Sequence, residues 1–354
     1  MTLSPKKHPL SQLNPGNAAP MRMPSELVIE VTGQCNMACT YCTNAAARAP
    51  HMTFEAVKNI LDQASQCHVP SIRFTGGEPL LVDDLPRMLT YAKQQKFYTL
   101  LNTNATLLTP KSLNMLIQNV DNVLISLQGF NNISTQEMTR TPASFEEKIR
   151  NIFLLKTFIT VVRLGTVITP NLINHFSKYA ALVEKIKPHT WELFRPMKGP
   201  IPSMAEDGTR YISLCRSLLK SREYGIHGII GNAIPLCILP NPELAAMVMA
   251  GARADDGHTR LVWDARGFFK PSYFITENLG IDLNAAWNHP FLRKMKNLAY
   301  LPSACRACKA LPQCLGGSRT LAKQMSGSYF MPDPLFKEPS KAFIKKPASF
   351  QEQP

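Results

Sequence analysis

The sequence predicts an α/β fold, a partial (β/α)6 TIM barrel followed by a smaller C-terminal unit. Three observations carry that prediction. Six β-rich runs alternate with segments of helical periodicity between residues 26 and 195, polar and glycine-rich residues gather where those runs end, and the alternation stops near residue 226. Alternating strand and helix implies a parallel sheet with crossover helices. Six strands are too few for a closed eight-fold barrel and suit an open one.

The runs are "ELVIEV", "SIRFT", "YTLLNT", "NVLISL", "TVVRLGTVI" and "TWELF". Between them lie "TFEAVKNILDQASQ", "DDLPRMLTYAKQQ", "TPKSLNMLIQ", "SFEEKIRNIFLLKT" and "NLINHFSKYAALVEKI", each apolar at helical spacing. A further helix, "DGTRYISLCRSLLKSREYG", leads out of the barrel. After it come "IPLCILPNPELAAMVMAG", a hairpin "RLVWDARGFFKPSYF" turning at Arg266–Gly267, and a short helix "AAWNHPFLRKMKN". The expected boundaries are a flexible arm rich in Pro, Asn and Ser over 1–24, a core over 25–225, a second unit over 226–320, and a Pro- and Lys-rich tail over 321–354, mobile or strapped across the surface.

Length and composition bound the function. With 354 residues, 45% of them hydrophobic, the chain can bury a sizeable core. No run approaches the ~18 apolar residues that span a bilayer, and the N-terminus has no apolar signal region, so a cytoplasmic location is expected and a membrane role is not. Net charge is +14, which points to an anionic partner such as an acidic peptide or to a solvated basic surface. No arginine-rich block or RNA-binding signature singles out nucleic acid. Nine cysteines are an odd number, and six fall in two tight clusters, a pattern of metal or redox ligation in a reducing compartment. Cys67 and Cys215 lie in helical segments and read as buried small hydrophobes.

The first cluster follows the first strand: "GQCNMACTYCTN" holds Cys35, Cys39 and Cys42 as C-x3-C-x2-C. Three thiolates on so short a loop converge on one point and leave one iron of a [4Fe–4S] cube open. Zinc would want a fourth ligand, and His51, the histidine nearest in sequence, reads as loop surface. At the second strand's end stands "FTGGEP", where Gly76 and Gly77 allow close backbone approach and Glu78 offers a carboxylate to an amine.

These two motifs at successive strand ends resemble the radical S-adenosylmethionine (SAM) superfamily. The resemblance implies that Cys35, Cys39 and Cys42 hold a [4Fe–4S] cluster whose open iron chelates SAM. It implies that Tyr41 lies beside the adenine, that Gly76, Gly77 and Glu78 receive the methionine amine, that Ser126 in "LISLQG" contacts SAM, and that Arg140 in "MTRTPASFE" neutralises its carboxylate. Asn104 and Asn171 are further candidates, readable equally as a turn former and a helix cap. The family more often has Asp and Gly where this chain has Gln128 and Ala105. The implied chemistry is reductive cleavage of SAM to a 5′-deoxyadenosyl radical, fed by a donor such as flavodoxin or ferredoxin, and hydrogen abstraction from a substrate.

The second cluster, "PSACRACKALPQCLGGSR", makes the C-terminal unit resemble the SPASM and twitch extensions of that superfamily, which carry auxiliary clusters. Against the full SPASM pattern the chain has Cys237, then Gly267 with Ser272 at a cysteine position, then Cys305, Cys308 and Cys314 with Ser318 at the next ligand position, and no final cysteine. The implied result is one auxiliary [4Fe–4S] cluster in place of two. Its fourth ligand is left open between Cys237 folding back, a substrate group, water or another residue, with structural zinc or bare thiols as the alternative.

Superfamily members with this extension mostly modify ribosomally made peptides. The expected function is therefore maturation of a precursor peptide with an acidic leader, by epimerisation, cross-linking or excision, with Cys237 and Asp264 as candidates to quench or relay a radical. Because the first strand starts near residue 26, no peptide-recognition domain is expected before the barrel, and a separate winged-helix protein is the expected partner. The alternatives are a small-molecule radical SAM enzyme, decarboxylating a tetrapyrrole or oxidising an alcohol, and a non-catalytic iron–sulfur or zinc protein.

Overall fold

In a computed structural model, residues 22–42, 49–142, 145–197, 208–252 and 254–344 are described. Most of the expected arm (1–21) and the end of the tail (345–354) lie outside them.

All six expected strands form: β1 (Glu26–Glu30), β2 (Ser71–Thr75), β3 (Tyr98–Thr103), β4 (Asn122–Ser126), β5 (Val161–Val167) and β6 (Thr190–Phe194). They pair in sequence order and in parallel. Between them run α1 (Phe54–Gln66), α2 (Leu85–Gln94), α3 (Pro110–Asn119), α4 (Asn132–Thr139), α5 (Phe145–Phe158), α6 (Pro170–Asn174) and α7 (Phe176–Ile186). The helix read across "NLINHFSKYAALVEKI" is thus two helices, broken at His175. Helix α4 was invisible in the sequence because its buried residues are Ser134, Thr135 and Thr139, so it has no apolar stripe; an Asn131–Ser134 capping box starts it instead.

Beyond residue 207 the chain forms α8 (Gly208–Ser221), β7 (Gly228–Ile230), α9 (Pro242–Val248), β8 (Arg260–Asp264), β9 (Phe268–Lys270), α10 (Leu283–Trp287), α11 (Pro290–Lys296), α12 (Ser303–Arg306), α13 (Leu311–Cys314) and α14 (Arg319–Ser326). The helix expected in "AAWNHPFLRKMKN" is likewise two, α10 and α11, parted at Asn288–His289. The second unit does not stand apart from the barrel. Strand β7 extends the sheet beyond β6, and β8 pairs in parallel with β1 and carries β9 antiparallel at the outer edge. The nine-stranded order is β7-β6-β5-β4-β3-β2-β1-β8-β9. Cys215 is buried in α8 as expected, whereas Cys67 caps the end of α1 and is only half-buried.

The period-two alternation along each strand sorts side chains by chemistry. Leu27, Ile29, Ile72, Phe74, Leu101, Val123, Ile125, Val162 and Leu164 join one apolar core with the helices. The opposite face is polar. Arg73 Nε and Nη2 donate to Glu26 Oε1 and Oε2 at 3.0 and 2.8 Å, and Arg73 Nη1 donates to Asn102 Oδ1 at 2.9 Å. Arg163 pairs with Glu192 and donates through Nε to Asn122 Oδ1 at 2.8 Å. The sheet therefore wraps an interior braced by ion pairs below and, toward the strand ends, left open as a cavity.

Removing one partner of a buried pair strands the other, at a cost of about 3 kcal/mol or more. Arg73→Met, which takes both of its guanidinium hydrogen bonds from Glu26, is expected to lower unfolding stability by about 3 kcal/mol in urea titration.

Candidate functional site

The loop of residues 32–42 leaves β1 at the strand ends and is tied down from three sides. Gly77 N–H donates to the Thr32 carbonyl and Glu78 N–H to the Gln34 carbonyl, each at 2.8 Å. Ala38 and Thr40 N–H groups donate to the Thr139 and Met138 carbonyls at the end of α4. Asn104 Nδ2 donates to Asn36 Oδ1 at 2.8 Å, and Asn36 Nδ2 to Thr106 Oγ1 at 2.9 Å.

Glycine is required where the first two loops meet. A Cβ on Gly77 would stand 1.9 Å from the Gln34 carbonyl oxygen, and one on Gly76, at φ +145°, would stand 2.3 Å from the Thr32 oxygen. The close approach that the sequence reserved for a ligand is thus taken first by the chain's own backbone.

Cys35, Cys39 and Cys42 interact electrostatically with one another, and the Tyr41 hydroxyl donates to the Cys39 sulfur. Partial burial pushes the Cys35 thiol up to about 11, so ligation of a metal there must displace its proton. Among the described residues no three His, Cys, Asp or Glu side chains close around one ion. Thiolates on a single zinc sit about 3.8 Å apart, given ~2.3 Å bonds in a tetrahedron. A cube spreads its thiolates over separate irons, and an open three-thiolate loop fits that donor set.

Tyr41, Cys42, Gly76 and Ser126 line one cavity of ≈290 Å³ at the strand ends, together with Gln128, Phe194, Arg195, Arg260 and Tyr273. Gln128 bridges β4 and β5, donating through Nε2 to the Gly165 carbonyl and accepting the Val167 N–H through Oε1. The other expected contacts are not on the lining. Glu78 is buried and its carboxylate is answered by the chain itself: Thr103 Oγ1 and the Leu80 N–H donate to Oε1, and the Asn104 N–H donates to Oε2. Arg140 is an exposed left-handed cap on α4, one residue beyond the anchor of the cysteine loop. Asn171 accepts the Tyr179 hydroxyl at 3.1 Å within the α6–α7 pair, away from the cavity.

Asp264 stands in the hairpin and is engaged on both oxygens. It is fully buried, its Oδ1 accepts from Arg266 N and Nε, its Oδ2 accepts from Arg266 Nη2 and Lys270 Nζ, and Lys270 also donates to both Glu30 oxygens. These cations hold its carboxyl at about 2 against the pull of burial.

A second cysteine site lies in the C-terminal unit. Cys237, Cys305, Cys308 and Cys314 all line one cavity of ≈20 Å³, closed by Phe336 and Pro339 of the tail. Cys237 has therefore folded back to the other three. Burial pushes the Cys237 and Cys305 thiols up to about 11 and Cys314 to about 12, so the four are neutral thiols near neutral pH. The serines standing where the resemblance expected ligands are engaged within the chain. Ser272 Oγ accepts from the Phe274 and Ile275 N–H groups, and Ser318 Oγ caps α14 by accepting from Leu321 N–H.

Sequence reasoning missed Lys148, Arg195 and Arg260. Lys148 is buried on the inner stripe of α5 with Ile152 and Leu155, and a lysine in register with that stripe was the available signal. Arg195 pairs bidentately with Asp333 at 2.8 and 3.1 Å, a partnership no local pattern announces.

Residues 29–181 match the family model described as Radical SAM superfamily. The AdoMet-dependent heme synthase of Nitratidesulfovibrio vulgaris is 28% identical over 169 residues, 47% of this chain and 46% of that one. The probable GTP 3′,8-cyclase of Methanopyrus kandleri is 28% identical over 188 residues, 51% of this chain and 61% of that one. The chain thus spans about half the length of the curated relatives it matches. Among solved structures, Streptococcus suis SuiB bound to its precursor peptide SuiA superposes with TM-score 0.70 at 18% identity, covering 89% of this chain and 76% of that one. The anSMEcpe protein with bound AdoMet and Cp18Cys peptide gives 0.68 at 18%, covering 88% and 93%. At such identity the likeness speaks for the fold.

Two outcomes are expected. Gly77→Ala should cost about 1–3 kcal/mol through overpacking and speed alkylation of Cys35 as its loop is pushed away. Asp264 stabilises above its ordinary range near pH 4, and that contribution is lost as pH falls toward its folded value of about 2. Asp264→Asn should therefore be about 2 kcal/mol less stable at neutral pH and converge with the wild type near pH 2, measured by chemical unfolding across pH.

Proposed function

We propose that the radical SAM domain of residues 29–181 makes this chain a SAM-cleaving enzyme, and that its substrate is a ribosomally made precursor peptide. The observation that carries the reading is that Cys42 and Tyr41 open onto the same cavity as Gly76 and Ser126, at the ends of a parallel sheet. When bound, a reduced [4Fe–4S] cluster with SAM supplies a carbon radical that takes hydrogen from an unactivated C–H bond. The chain's own part is to hold and to exclude. Tyr41 and the Gly76 backbone offer a wall and an edge for SAM, Phe194 and Tyr273 keep water from the reacting side, and Arg195, held by Asp333, and Arg260, held against Glu26, give the wall fixed dipoles.

Peptide maturation is favoured by the fold likeness to SuiB and anSMEcpe, both solved with peptides, and by the +14 charge, which suits an acidic leader. We assign one auxiliary [4Fe–4S] cluster to Cys237, Cys305, Cys308 and Cys314, a separate winged-helix recognition protein as presenter, and a flavodoxin or ferredoxin as electron donor. The names of the curated relatives favour a second reading, a small carboxylate-bearing substrate such as a tetrapyrrole.

Anaerobic reconstitution with iron and sulfide tests these assignments. Reductant and SAM should then yield 5′-deoxyadenosine, and Cys35→Ala should abolish it. Cys237→Ala should lower iron content by about four per chain and leave 5′-deoxyadenosine formation in place. Unchanged iron content and spectrum in that variant overturn Cys237 as the fourth ligand, and absence of 5′-deoxyadenosine from the wild type overturns the enzyme. Protection by an added acidic peptide, against none by a tetrapyrrole, in hydrogen–deuterium exchange at the cavity separates the two substrates.

A further inference from the structure

Lys148 is a residue for which the fold gives no structural reason. It stands on the inner stripe of α5 and is 1% exposed. An ammonium carries three donors. Among the described residues Lys148 finds one hydrogen-bond partner, the Ser126 carbonyl at 3.1 Å, at the end of β4. Burying a cation so poorly answered costs several kcal/mol, and a leucine at this stripe position would avoid the cost. The ammonium stands beside the cysteine loop: Ser126, whose carbonyl it holds, lines the same cavity as Tyr41 and Cys42, and the groups that act on it electrostatically are Cys39, Glu78 and Cys35. Glu78 has three donors of its own, so it does not depend on Lys148 for satisfaction.

We propose that Lys148 is a positioning residue for electron transfer, a fixed positive charge under the cysteine loop that raises the reduction potential of the cluster held there. The proposal rests on the reading of Cys35, Cys39 and Cys42 as cluster ligands. A [4Fe–4S] cube with thiolate ligands is anionic, and each added electron makes it more so. A cation in a water-poor site favours the reduced form more than the oxidised one, because it attracts the larger negative charge more strongly. Arg140, the sequence's candidate cation, is exposed, where water screens it. Lys148 is not.

The test is a redox titration of the reconstituted full-length protein without SAM, following the electron paramagnetic resonance signal that SAM addition perturbs and thereby identifies. At the potential where the wild-type cluster is half reduced, Lys148→Met and Lys148→Gln should show a reduced-to-oxidised ratio about tenfold lower, which for one electron is about 59 mV. Lys148→Arg, which keeps the charge, should stay with the wild type. Neutral variants that fold by circular dichroism but take up no iron, where Lys148→Arg does, would overturn the proposal in favour of a role for the charge in assembling the cluster.

Coincident titrations of wild type and the neutral variants would overturn the proposal, as would an arginine variant displaced as far as the neutral ones, since packing would then explain both. Were Lys148 only a counter-ion for Glu78, the neutral variants would lose stability and leave the SAM-free potential unmoved. If instead the wild type shows no SAM-sensitive signal at all, the cluster reading itself fails.

Discussion

The backbone of Gly76 and Gly77 lies directly against the backbone of residues 32–35, and the rest of the site hangs on that contact. No side chain fits between the two loops, so the end of β2 acts as a template for the loop that leaves β1. From there the constraints spread outward. The Glu78 carboxylate locks the end of β3 to the same corner through Thr103 and Asn104, and Asn104 reaches back to Asn36 between two of the cysteines. A flexible nine-residue stretch, Gln34 to Cys42, is thereby held at both flanks and at its middle before any ligand arrives, which is what preorganisation asks of a loop that must bind with three side chains at once.

The sheet interior below this corner is unusual in being charged. Glu26–Arg73 and Arg163–Glu192 lie where other barrels stack aliphatic layers. Ion pairs in such a place contribute little net stability, because desolvation offsets their attraction. What they do provide is rigidity with direction: each guanidinium reaches two or more strands, and Arg73 ties β1, β2 and β3 together through Glu26 and Asn102. The cavity floor is thus a frame of fixed dipoles and charges that need not reorganise when a substrate enters.

Much of this was legible in the sequence. The six strands announced themselves because β-branched apolar runs of five to seven residues have few other uses, and the cysteine and glycine motifs did so because their chemistry tolerates no other residue types. What escaped was of three kinds. Helix α4 is polar on its buried side and lacks periodicity. Asn171 and Asp264 belong to residue types that serve turns, caps and active sites alike, and here Asn171 braces Tyr179 and Asp264 the hairpin. Pairings such as Arg195 with Asp333, 138 residues apart, exist only once the tertiary fold does. The return of Cys237 to the later cysteines is of this last kind, whereas Ser272 and Ser318 serve locally as turn and cap residues.

The pairing of β8 with β1 sets an order on the making of the molecule. Ser25 at the start of β1 donates to the Thr259 carbonyl across 234 residues, and β1 acquires its second neighbour only when β8 has been synthesised. During translation the nascent chain carries a half-finished barrel whose first strand has one bare edge, the kind of edge that invites pairing with another chain. Long-range closure of this sort is slow. The cysteine loop that leaves β1 can therefore be anchored to the ends of β2 and α4 while the other edge of its strand still waits for the C-terminal hairpin.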